Sequence, residues 1–194
     1  MLGRRQTLVI AAAMVVASVI GGWIWSAASE DPDSQIPELV LTSSTAPQTI
    51  PTNKPNEGEV LPVVDLENAQ GEKISTESLL SKPLILNFWF STCEPCKREM
   101  PVLQKVHEAT KDEIEFVGVN PQDNPEGAEK FAAKYGVDYQ LLLDRNGVLV
   151  SKVGISTFPT TLFVNQDGQV ILQYAGEVTE SKLLELIDEA FGIS

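Results

Sequence analysis

The sequence carries two cysteines, Cys93 and Cys96, within the stretch 88-FWFSTCEPCKREMP-101. A Cys-x-x-Cys pair can act as a covalent staple, as half of a metal site, or as a dithiol that exchanges electrons. A staple between residues three apart closes too small a loop to constrain the unfolded chain much. A structural zinc site takes four ligands, and the chain offers a single histidine, His107. His107 is expected about three turns beyond Cys96 on the same helix, on its solvated side and out of reach of the thiols. The same separation argues against Cys-His and Ser-His-Asp hydrolysis, for which no nucleophile elbow is present either. Redox exchange is the reading that the pattern favours; the alternative is copper transfer by the two thiolates plus a histidine, which His107 cannot easily supply. No resident metal or cofactor is expected.

That chemistry needs a particular setting. The apolar run Pro83 to Phe90, PLILNFWF, reads as a buried strand, and a helix is expected from about Cys93 to Thr110. A helix N-terminus presents unpaired amides and the positive end of the dipole, which stabilise a thiolate. A free thiol has a pKa near 8.5, and such a position lowers it. Cys93 is therefore the expected exposed nucleophile. Cys96, one turn further in, is shielded and placed to resolve a mixed disulfide.

The remaining elements can be laid out around this pair. Val60 to Leu66 and the region around Ile74, separated by Gly71, predict a hairpin at the start of the folded unit. Strands are expected at Glu115 to Asn120 and Tyr139 to Leu143. A helix is expected from Pro125, with Pro in its first turn, to Tyr135, with Gly136 just beyond. Val148 to Val153 reads as a short helical piece. Thr160 to Asn165 and Gln169 to Tyr174 flank Gln166-Asp167-Gly168 as a β-hairpin. The final helix, Thr179 to Phe191, would turn Leu183, Leu184, Ile187 and Phe191 to the core. This order predicts an α/β fold, a mixed sheet with helices on both faces.

The flanking sequence sets the compartment. Arg4 and Arg5 precede the charge-free run Thr7 to Ala28. That run meets the roughly 20 apolar residues that cross a bilayer. Positive charge stays on the cytoplasmic side, so residues 1–28 are expected to anchor a chain whose remainder lies outside the cytoplasm. Ser26-Ala27-Ala28 keeps a cleaved signal open as the competing reading. Residues 29–58, rich in Pro, Ser, Thr and Asn, read as a tether, and 59–194 as the folded domain. The net charge is −13, with no block of basic residues, which excludes nucleic acid as a partner.

NFWFSTCEPCKREMP, GISTFPTTLFVNQDGQV and YAGEVTESKL together resemble the ResA/TlpA group of membrane-anchored thioredoxin-like proteins, across essentially all of residues 59–194. The resemblance implies a thioredoxin fold with an N-terminal hairpin and the insertion typical of that group. It also implies a thiol-disulfide oxidoreductase that reduces client disulfides through Cys93 and Cys96. It gives Pro159 as a cis-proline facing the dithiol and presenting the backbone of Phe158 to a client, and Pro101 as a helix kink. Asn87 stands where ordinary thioredoxins carry a buried Asp, and Glu99 matches the glutamate that acts as acid/base in ResA-type members. Glu94 and Pro95 complete the CEPC pattern. A carboxylate beside Cys93 opposes its thiolate and so favours a reductant. Thr92 departs from the family's usual Trp, which bears on the partner surface, and Phe90 replaces a small residue. The implied clients are apocytochrome c or copper-site assembly proteins, and the implied electron donor is a membrane thiol carrier of the CcdA/DsbD type. An oxidase, or a peroxidase with Phe90 in place of the wanted threonine, would be alternatives on the same fold.

Overall fold

The computed structural model describes residues 52–193. The expected anchor and cleavage site, and the tether up to residue 51, lie outside the described residues. Among those described, no helix is long and apolar enough to cross a membrane.

Seven strands form one mixed sheet: β1 (Asp65–Glu67), β2 (Lys73–Ser75), β3 (Leu84–Phe88), β4 (Glu115–Asn120), β5 (Gln140–Leu143), β6 (Thr160–Val164) and β7 (Val170–Ala175). Their order across the sheet is β2-β1-β5-β4-β3-β6-β7. The centre, β3 beside β4 beside β5, is parallel, and β6 joins β3 antiparallel. The helices are α1 (Glu94–Thr110), α2 (Pro125–Tyr135), α3 (Val148–Val153) and α4 (Glu180–Phe191).

Alternation along β3 builds both halves of the core. Ile85 joins Met100, Leu103, Phe131, Leu183 and Ile187 in the layer beneath α1, α2 and α4. Leu84, Leu86 and Phe88 pack on the other face with Leu149, Val153 and residues of the N-terminal hairpin. The sheet is thus covered on both sides, as its continuous apolar strand required.

Local chemistry fixes the helix ends. Asn124 Oδ1 accepts from the Gly127 amide at the start of α2, and Gly136 closes that helix at φ 68°. Thr179 caps α4 by accepting from the Lys182 amide. Gly118 on β4 allows a close approach. A Cβ there would stand 2.8 Å from the indole nitrogen of Trp89, so only glycine lets that ring lie across the strand.

Four expectations are corrected. On α4, Leu186 is 3% exposed while Leu184 is 44% exposed. Leu186 follows Leu183 by three residues and so shares its face, whereas Leu184 is rotated about 100° away. His107 does not sit on the solvated side of α1. Its side chain is only 16% exposed and lies edge-on to Phe116 and Tyr139. The packed unit also begins before residue 59. Gly58 N donates to Val170 O, and Val170 N to Glu59 O, so this segment lies along the outer edge of β7. The hairpin strands themselves are shorter than the pattern implied.

Candidate active site

Cys93 and Cys96 are joined by a disulfide at the start of α1. Cys93 is the N-cap of that helix, and its Sγ accepts from the Cys96 amide at 3.2 Å. Such an amide, at the positive end of the helix, stabilises a thiolate on Cys93. Cys93 is 6% exposed and Cys96 fully buried, so the small opening belongs to the residue expected to attack. Thr92 is exposed beside it, and Pro95 is half-buried in the first turn.

Glu94 is exposed, and its carboxylate is bound by Lys97 one turn on. The hydrogen bond and charge of Lys97 hold the Glu94 carboxyl below its ordinary range. Lys97 therefore offsets part of the negative field that Glu94 places on Cys93.

Glu99 lies in α1 one turn beyond Cys96, and none of its surface reaches solvent. Asn87 Nδ2 donates to its Oε1 at 2.8 Å, and the Val178 amide donates to its Oε2 at 3.2 Å. Asn87 comes from the α1 face of β3, where it also donates to Thr161 Oγ1 on β6 at 3.1 Å. Burial pushes the Glu99 carboxyl up to about 7, against the two hydrogen bonds, which favour its charged form. No cation among the described residues is bonded to it, so the site holds a carboxyl that exchanges its proton near neutral pH.

The Phe158–Pro159 peptide bond is cis. Pro159 is buried and Phe158 half-buried, its ring meeting Phe90 edge-on at 5.2 Å between centroids. Phe90 thus fills the space beside the cis-proline loop. Pro101 lies inside α1, which continues through it to Thr110.

Sequence reasoning missed the residues that hold the loops. Asp123 accepts from both the amide and the hydroxyl of Ser91, at 2.7 and 2.6 Å, and from Asn120 Nδ2 at 2.6 Å. It pins the loop just ahead of Cys93 to the end of β4. Asp144 accepts from the amides of Val148 and Val150 and starts α3. The Asp123 partner lies 32 residues away, so no local pattern announces it. Among the described residues, no group of three or more His, Cys, Asp or Glu is placed to hold a metal ion.

Residues 58–173 match the AhpC/TSA family. The chain belongs to that family. Within it, the thiol-disulfide oxidoreductase ResA of Bacillus subtilis strain 168 is 33% identical over 129 residues, covering 66% of this chain and 72% of the relative. ResA of Halalkalibacterium halodurans is 31% identical over 124 residues, covering 63% of this chain and 70% of the relative. The crystal structure of StoA from Bacillus subtilis superposes with a TM-score of 0.56 at 31% identity, covering 65% of this chain and 96% of StoA. The AhpC/TSA member described here is a thiol-disulfide oxidoreductase with a thioredoxin-like fold, of ResA type, and its sequence carries one Cys-x-x-Cys pair.

Proposed function

We propose that this oxidoreductase works outside the cytoplasm as a reductase of client-protein disulfides, held to the membrane by residues 1–28. The observation that carries the reading is the buried, cation-free Glu99 one turn below Cys96. The Cys93 thiolate attacks one sulfur of a client disulfide and displaces the other as a thiolate, forming a mixed disulfide. Glu99 accepts the proton of the Cys96 thiol. The Cys96 thiolate then attacks Cys93 Sγ and expels the second client sulfur. Two electrons pass to the client, whose two thiolates take up protons. The enzyme is left with the Cys93–Cys96 disulfide, which an external dithiol donor must reduce again.

Support for the reducing direction comes from Glu94, whose charge opposes the Cys93 thiolate and so favours the disulfide form. The backbone of Phe158, beside Pro159, would receive the client as an extended segment, with Glu94, Pro95 and Thr92 on the rim. Apocytochrome c or a copper-site assembly protein would be the client, and a membrane thiol carrier of CcdA/DsbD type the donor. Two measurements test this. The reduction potential is expected at about −300 to −250 mV, and a value near about −120 mV would make the protein an oxidase. Cys96→Ser is expected to trap the client on Cys93 in cells. Recovery of small-thiol adducts alone would remove the client assignment.

A further inference from the structure

We propose that Asn53 is a positioning residue for the Phe158-Pro159 loop, and that it sets how tightly the enzyme holds its client. The inference rests on the docking role given above to Phe158 and Pro159.

Asn53 belongs to the segment that enters the domain, read from sequence as tether. Its Oδ1 accepts from the amides of Ser156 and Thr157, each at 2.8 Å. Its Nδ2 donates to Thr160 Oγ1 at 2.7 Å. One side chain thus grips the chain on both sides of Phe158-Pro159. Thr160 Oγ1 in turn donates to Thr157 O at 2.7 Å, which closes a ring of hydrogen bonds around the turn. Neighbouring residues hold Asn53 in place. Lys54 N donates to Gly154 O at 3.0 Å. A Cβ on Gly154 would stand 2.7 Å from Lys54 Cβ, so glycine permits the approach. Asn56 is buried and donates to Val153 O at 2.9 Å.

The consequence is one of binding rather than of electron transfer. An extended client pairs with backbone groups of this loop, and a loop that had to be ordered at that moment would cost affinity. None of the hydrogen bonds of Asn53 goes to Cys93 or Cys96. Its removal should weaken client binding while leaving the dithiol chemistry intact.

The test compares two disulfides, with dithiothreitol as electron source. One is a synthetic peptide carrying an oxidised Cys-x-x-Cys pair. The other is glutathione disulfide, too small to lie along the loop. Asn53→Ala is expected to raise KM for the peptide about three- to ten-fold, as loss of one hydrogen bond's worth of ordering would. The kcat, the rate with glutathione disulfide and the reduction potential should stay at their native values. Asn53→Asp, which keeps the acceptor for both amides but loses the donor to Thr160 Oγ1, should recover part of the native KM. The same peptide N-methylated on the residues flanking its disulfide, and so unable to pair through its amides, serves as the control for docking. If N-methylation raises the peptide KM on the native enzyme and Asn53→Ala does not, the role of Asn53 is overturned alone. If Asn53→Ala slows both disulfides in parallel, it acts through folding, and the role is overturned equally. If N-methylation leaves the peptide KM unchanged, the docking reading fails and this inference falls with it.

Discussion

Glu99 Oε1 accepts a hydrogen bond from Asn87 Nδ2 at 2.8 Å, and neither side chain is more than 1% exposed. An amide that cannot titrate therefore holds a carboxyl that does, in a site closed to bulk solvent. The carboxyl is pushed up to about 7, so the pair should control how protons leave the dithiol.

Resolution of the mixed disulfide should follow this titration. In the native protein its rate is expected to rise with pH through about 7. In Glu99→Gln that limb should vanish and the rate at neutral pH should fall about 100-fold, the usual contribution of one acid/base group. Stopped-flow release of a chromogenic thiol measures it, and an unaltered pH profile would remove Glu99 from the mechanism.

Stability should carry the same signature. The folded protein holds the Glu99 proton up to about 7, whereas an ordinary glutamate gives it up near 4.5, so the folded state binds that proton more tightly than the unfolded chain. The resulting stability is fully present below pH 4.5 and is lost as pH rises through about 7. The difference is worth on the order of 3 kcal/mol. Urea titrations of the oxidised protein at pH 5 and pH 8 should show that loss, and Glu99→Gln should show little of it.

Asn87→Asp would place a second carboxyl against the first. Two carboxylates in one dry site cannot both ionise, so the pair should share a proton near neutral pH. Difference infrared spectroscopy is expected to show a protonated carboxyl persisting above pH 7. Stability at pH 8 should fall by about 2–4 kcal/mol, since one charge would have to be buried unpaired. Two fully ionised carboxylates at pH 7 would contradict the geometry.

Asp123→Ala removes the acceptor that holds Ser91. The expected loss is about 1–2 kcal/mol of stability, because partly buried donors of Ser91 and Asn120 are left unpaired. Hydrogen exchange should quicken at the Ser91 amide, ahead of the dithiol, while the amide of Lys97, within α1, stays protected. Unchanged exchange at Ser91 would show that the clamp does not hold the loop.

The two leucines of α4 should separate in a truncation experiment. Leu186→Ala, which opens a cavity under the helix, is expected to cost about 2–5 kcal/mol. Leu184→Ala, on the solvent side, should stay within about 0.5 kcal/mol. Chemical denaturation of both variants tests which face is buried.

The sequence and the structure agree most closely where structure is local. Pro125 and Gly136 bracket α2, Asn165 to Gly168 turns the β6–β7 hairpin, and the apolar run through Leu84–Phe88 is the central strand. The cysteine pair was legible for the same reason, since spacing and position ahead of a helix say most of what matters. Leu184 is read with Leu183 because apolar residues stand adjacent at 183 and 184 and again at 186 and 187, so a stripe can be drawn through either leucine although the two lie about 200° apart around the helix. His107 was misjudged because its slot is made by Phe116 and Tyr139, which come from other elements. Asn53 and Asp123 were invisible for a deeper reason. A polar side chain that bonds a distant amide has the same local sequence as one that bonds water.

The segment before β1 has a further consequence, for how molecules meet one another. An open edge strand is a row of unpaired amides and carbonyls on which a second chain can grow. Here Gly58 to Leu61 occupies the outer edge at the start of β7, and Glu57 Oε1 accepts from the Gln173 amide further along. The protein thus seals this one edge of its sheet with a strip that carries acidic side chains, which repel a like-charged copy. A chain beginning at residue 61 would keep its dithiol and lose that seal, so its failure would come as self-association at high concentration.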